Sequence, residues 1–176
     1  MGVQKKTKRL TVSAMTAALG TVILYLGSFI EVLDISVAVL ASLLSAVIVI
    51  EYGGKAAWPI YGVTAILSVL LLPTKFPALM YALFFGYYPI IKENIERMRS
   101  KVVKWAIKCA IFVASTVLFV LILKLFTAEL ETPYGDIFMV AFVLLTALMF
   151  ILYDIALTRV ISYYIFRLRH RFRKIF

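Results

Sequence analysis

Residues 10–30 read LTVSAMTAALGTVILYLGSFI, and no charged side chain interrupts them. A run of about twenty apolar or small residues is what a helix needs to cross the hydrocarbon core of a bilayer. It is too long for the apolar region of a secretory signal, about 7–15 residues, and its flanks do not end in a plain A-x-A cleavage site. The run is therefore expected to span a membrane. In lipid the backbone must satisfy its own hydrogen bonds, which makes that span a helix.

Five further apolar stretches follow, at 35–50, 56–72, 76–91, 103–126 and 137–161. The predicted fold is an all-α integral membrane protein: a bundle of six transmembrane helices forming a single membrane domain over 1–176. The third and fourth spans are short, and Pro59, Pro77 and Pro89 lie at their ends. Proline is tolerated at a helix start, where N–H groups lack partners anyway. Composition agrees, with 64% hydrophobic residues and a mean hydropathy of +1.01, whereas soluble domains are closer to half apolar.

The net charge of +10 is distributed by side. One set of connections and tails holds Lys5, Lys6, Lys8, Arg9, Lys55, Lys92, Arg97, Arg99, Lys101, Lys104, Arg167, Arg169, Arg171, Arg173 and Lys174. The opposite set holds Glu31, Asp34, Glu129, Glu131 and Asp136, with Lys75 as its only clear base. Basic residues accumulate on the cytoplasmic side, so both termini, the basic tails 1–9 and 165–176, are expected in the cytoplasm. Charges confined to span ends are orientation signals, which argues against nucleic acid as a partner. The segment 92–105 mixes charges with Ile95, Met98, Val102 and Trp105, a spacing that suits a helix lying on the membrane surface or an extension of its neighbours.

The first span is short of bulk at its cytoplasmic end. Ser13, Ala14, Thr16, Ala17, Ala18 and Gly20 are small, and 13/17, 14/18 and 16/20 form pairs four apart. Lipid offers no hydrophobic drive for helix association, so small residues at i and i+4 serve close backbone approach. The second span repeats the device with Ala38, Ser42 and Ala46, and with Ala41 and Ser45. Packing between these two spans needs a single stripe. The first span presents more than one, because its pairs point in different directions, and a second stripe suits a partner protein.

A basic N-terminus, a first helix with Ala14-Met15-Thr16-Ala17-Ala18, six spans and a length near 180 residues together resemble the substrate-binding S components of energy-coupling factor (ECF) transporters. The resemblance implies that Ala14 and Ala18, matching the family's A-x-x-x-A pattern, dock onto the coupling helices of a transmembrane T component, with Ser13 and Ala17 beside them. It also implies two ATPase subunits bound to that component, a vitamin or micronutrient taken from outside, and a place in the prokaryotic plasma membrane. Family members bind substrate with outer-side segments and the outer halves of their last three helices.

On the outer side the candidates for substrate contact are Glu31, Asp34, Lys75, Tyr81, Phe84, Phe85, Lys124, Tyr134 and Asp136. Aromatic walls with a few fixed polar groups are the usual build of a small-molecule site. Glu31 and Asp34 also read as solvated loop charges, and Lys124 as a residue reaching for the outer interface. Within the spans, Lys108 and Asp154 both fall in the inner third, so an ion pair between the fifth and sixth spans is geometrically open, with Arg159, five residues on in the same span, as a second possible partner for Asp154.

The inventory excludes several activities. The single Cys109 rules out an internal disulfide, and the single His170 rules out a histidine pair for catalysis or metal. No phosphate loop, nucleophile elbow or H-E-x-x-H occurs, so neither a catalytic residue nor a cofactor or metal is expected, and uphill transport needs an outside motor. The competing expectation is a non-enzymatic interaction, assembly or regulatory protein of the membrane without a solute pocket.

Overall fold

The computed structural model describes residues 2–126 and 135–168. Seven α-helices follow in order: α1 (Gly2–Gly27), α2 (Asp34–Tyr52), α3 (Gly54–Leu71), α4 (Phe76–Met80), α5 (Tyr88–Glu96), α6 (Lys101–Phe126) and α7 (Gly135–Tyr163). A 3₁₀ turn at Glu31–Leu33 leads into α2, and π turns occupy Tyr81–Phe85 and Tyr164–Leu168. Among the described residues there is no strand, and five helical stretches are long and apolar enough to cross a membrane: Thr7–Gly27, Asp34–Tyr52, Gly54–Leu71, Lys101–Ile122 and Val143–Arg167.

The first helix begins well before the apolar run, taking in the basic stretch from Gly2. Lysine and arginine are good helix formers. Its threonines cost little, because Thr11, Thr16 and Thr21 each donate to the carbonyl four residues back, on Thr7, Val12 and Ala17. Gly53, at φ +82°, turns the chain between α2 and α3, a conformation that L side chains rarely adopt. At the far end of α3, Leu72 is extended at φ −70° and ψ 135°, as the following Pro73 requires. Pro59 falls inside α3 rather than at its end, where it withholds one helical N–H.

The fourth apolar stretch departs from the expected single helix. It runs as α4, the π turn Tyr81–Phe85, a bend at Gly86 and Tyr87, and then α5. Pro77 and Pro89 each stand second in their helix, where the missing N–H is harmless. Between them the helix must restart, and no piece is long enough to span a bilayer alone. The segment 92–105 is likewise no single surface helix, since α5 ends at Glu96 and α6 begins at Lys101.

The helices cluster into two compact units, Met1–Arg97 with Val160–Phe176, and Met98–Arg159. In the first, α1 packs on α2 and α3, and α2 also packs on α4, the π turn and α5. One part of its interior is apolar: Ala17, Ile48, Val49, Ala56, Ala57, Ile60 and Ile90 form one cluster. The residues buried elsewhere in these helices include Ser42, Ser45, Thr64 and Ser68, each at most 1% exposed. In the second unit Phe112 and Phe150 stack with ring centroids 5.2 Å apart, beside a buried ion pair.

Candidate functional site

Midway along α2 and α3 a set of hydroxyls meets the broken fourth segment. Ser45 is about 17 Å along α2 from Asp34, and Thr64 about 15 Å along α3 from Gly54, at 1.5 Å per residue. The Tyr81 hydroxyl lies 3.2 Å from Ser45 Oγ, and Thr64 is its other hydrogen-bonding neighbour. Thr64 Oγ1 also reaches the Ala17 carbonyl of α1 at 3.5 Å. Tyr61, one turn before Thr64, donates to the Ala82 carbonyl at 2.8 Å. One turn after Thr64, Ser68 is fully buried, and its hydroxyl makes no hydrogen bond among the described residues.

Around these hydroxyls stands a wall of rings. Tyr61 lies 6.1 Å from both Tyr81 and Tyr87, and 5.9 Å from Trp58, between ring centroids. Phe84 and Phe85 are buried in the same turn as Tyr81. None of the groups in this cluster carries a formal charge, so it is suited to hydrogen-bonding and stacking with an uncharged polar solute rather than to holding an ion.

Of the residues expected to meet substrate, Tyr81, Phe84 and Phe85 are thus brought together, but against α2 and α3. Asp34 is buried at the start of α2 rather than solvated, where a carboxylate favourably meets the helix N-terminus. Lys75 donates to the Val69 and Leu72 carbonyls at 2.9 and 2.7 Å, closing the C-terminal end of α3. Next to it, Thr74 Oγ1 donates to the Ser28 carbonyl at 3.2 Å and ties the connection after α3 to the one after α1. Tyr134 lies outside the described residues, and the side chains of Glu31, Lys124 and Asp136 lie outside the described side chains.

The docking candidates separate. Ala14 and Ala18 are exposed, Ser13 is half-buried, and Ala17 is buried in the apolar cluster at 5% exposure. Ala17 is therefore corrected from a partner contact to a core residue: it faces α2 and α3, while 14 and 18 lie on another stripe of the same helix. In the second unit Lys108 Nζ and Asp154 Oδ2 form an ion pair at 2.8 Å. Cys109, one residue on, is exposed.

Sequence reasoning missed Tyr61, Ser45, Thr64 and Ser68 as a polar group. Their signal was present: Tyr61, Thr64 and Ser68 follow each other at +3 and +4, one face of a helix. Where α3 begins, beside α5, this unit holds a second polar tie. Glu93 Oε2 accepts the Gly54 N–H at 2.9 Å, and its Oε1 pairs with Arg97 at 2.6 Å. Lys92, expected among the bases of the connections, is buried with its ammonium 5.7 Å from the centre of the Tyr88 ring.

The chain matches no protein-family model, no curated protein and no solved structure.

Proposed function

We propose that this chain is the small-molecule-binding membrane subunit of an ECF-type importer, with six spans, both termini in the cytoplasm and no ATPase activity of its own. The reading is supported above all by the division of α1. Ala17 and Gly20 are buried, whereas Ala14 and Ala18, the pair matching the family's docking pattern, stay exposed. Internal packing therefore leaves unexplained the small residues that a coupling subunit would use. The distribution of basic residues supports the orientation.

In this reading a T component and two ATPase subunits drive the cycle in the plasma membrane. An uncharged, vitamin- or micronutrient-like solute is held by Tyr81, Phe84 and Phe85 with Ser45 and Thr64. Affinity purification of the tagged chain from its native membrane tests it, with recovery of a T component and ATPases as the expected result. Purified chain should also be stabilised by a metabolite, by about 2.7 kcal/mol at a hundredfold excess over its dissociation constant. Recovery of neither motor subunits nor any stabilising metabolite, from cells in which the chain is functional, would instead favour a membrane assembly or regulatory protein.

A further inference from the structure

Two hydrogen bonds in the fourth segment share one acceptor problem. In an α-helix the Gly86 N–H would reach the carbonyl four residues back, on Ala82. It reaches five back, to Tyr81 O at 2.7 Å, which defines the π turn. The Ala82 carbonyl so vacated is taken from outside the helix by the Tyr61 hydroxyl of α3 at 2.8 Å. Tyr61 thus supplies the bond that the π register gives up. In a membrane interior that substitution matters, because an unsatisfied carbonyl there is costly.

The surroundings fit such a role. A Cβ on Gly86 would fall 2.8 Å from Tyr61 Cδ2 and from Tyr81 Cε1 and Cζ, so only glycine lets both rings close over this turn. The backbone is helical on both sides, at φ −58°, ψ −45° for Met80, φ −67°, ψ −43° for Gly86 and φ −86°, ψ −20° for Tyr87. Exchange between the two bonding patterns therefore crosses no forbidden region of backbone space. Pro89, with no N–H, makes no demand on the Phe85 carbonyl, so the bend before α5 can absorb the change.

We infer that Tyr61 is a register catch: its hydroxyl holds the Tyr81–Phe85 turn in the π form, and its release returns the Gly86 N–H to Ala82. One residue of register turns a helix by about 100° and moves it about 1.5 Å, so α5 would turn against α4. That motion has a remote consequence, because α5 carries Glu93, whose carboxylate holds the Gly54 N–H at the start of α3. The catch links the hydroxyl cluster at mid-membrane to the tie at the opposite end of the same unit. It concerns the resting chain and stands independently of the importer reading.

The test uses the full chain in lipid nanodiscs with ¹⁵N-glycine. Eight glycines keep the spectrum sparse. Carbonyl labels on Phe and on Gly identify Gly86 and Gly54, the second residues of the only Phe–Gly and Gly–Gly pairs in the sequence. In Tyr61→Phe the Gly86 and Gly54 resonances should both move, with Gly20 and Gly27 unmoved. The Gly54 amide should also exchange about tenfold faster, the effect of losing a bond to a charged acceptor. An unmoved Gly86 overturns the catch, and a moved Gly86 with an unmoved Gly54 overturns its reach to α5. If Tyr61→Phe fails to fold, 3,5-difluorotyrosine at position 61 keeps the shape and strengthens the donor. It should then slow exchange at Gly86, and an unchanged rate again overturns the proposal.

Discussion

The ammonium of Lys108 on α6 and the carboxylate of Asp154 on α7 meet at 2.8 Å, with only 8% and 9% of their side chains exposed. The Lys108 ammonium also lies 5.6 Å above the Trp105 ring, and Thr158 donates to the Asp154 backbone carbonyl one turn on. A charge in this setting is tolerable only with its partner. Either Lys108→Met or Asp154→Leu alone should cost about 3–5 kcal/mol of stability. The double variant Lys108→Met with Asp154→Leu should recover most of that loss in thermal melts of the purified chain. Equal and additive losses from the two single variants would show that the pair is not the interaction being broken.

Neighbouring alanines on α1 should respond in opposite ways. Ala17 is buried in one apolar cluster with Ile48, Ala57 and Ile60, so Ala17→Leu overpacks the core and should destabilise by about 1–3 kcal/mol. Ala14→Leu and Ala18→Leu add bulk to an exposed stripe. They should leave the melting temperature unchanged and, if the proposed importer reading is right, abolish copurification of a T component and ATPases. A similar loss of stability in all three variants would contradict the division of this helix into two faces.

Glu93 caps a helix to which it does not belong. Its carboxylate accepts the Gly54 N–H at 2.9 Å and adds negative charge at the start of α3. Glu93→Ala should cost about 1 kcal/mol, the usual value for a lost cap. Glu93→Gln keeps an acceptor oxygen and should lose less. Denaturant midpoints of the two variants separate the hydrogen bond from the charge.

Tyr81 and Ser45 share a buried hydrogen bond at 3.2 Å. Tyr81→Phe should cost about 1 kcal/mol, and Ser45→Ala made in that background should add almost nothing. The interaction energy comes from a double-mutant cycle on the folded protein. Fully additive losses would mean that the two hydroxyls do not depend on each other.

The broad architecture was legible in the linear order of residues because lipid imposes it. An uninterrupted apolar run such as 10–30 has one low-energy form in a bilayer, and five helices long and apolar enough to cross one are present among the described residues. The Lys108–Asp154 pairing was one of two that the charges inside the apolar runs left open, Arg159 being the other, and the structure shows Lys108 against Asp154. The same logic failed for the fourth stretch, whose hydropathy resembles that of a span while its prolines and Gly86 divide it.

What the sequence alone determined is therefore the helical class and the approximate places of its long apolar helices, both set by transfer from water and by helix rise. Tertiary structure alone decided which small residues face inward, that Asp34 and Lys92 are buried, and that Ser45, Thr64, Tyr61 and Tyr81 converge. Periodicity assigns a residue to a stripe of its own helix. It says nothing of which other helix lies against that stripe, and a hydroxyl's partner is chosen only when two helices come within hydrogen-bonding distance.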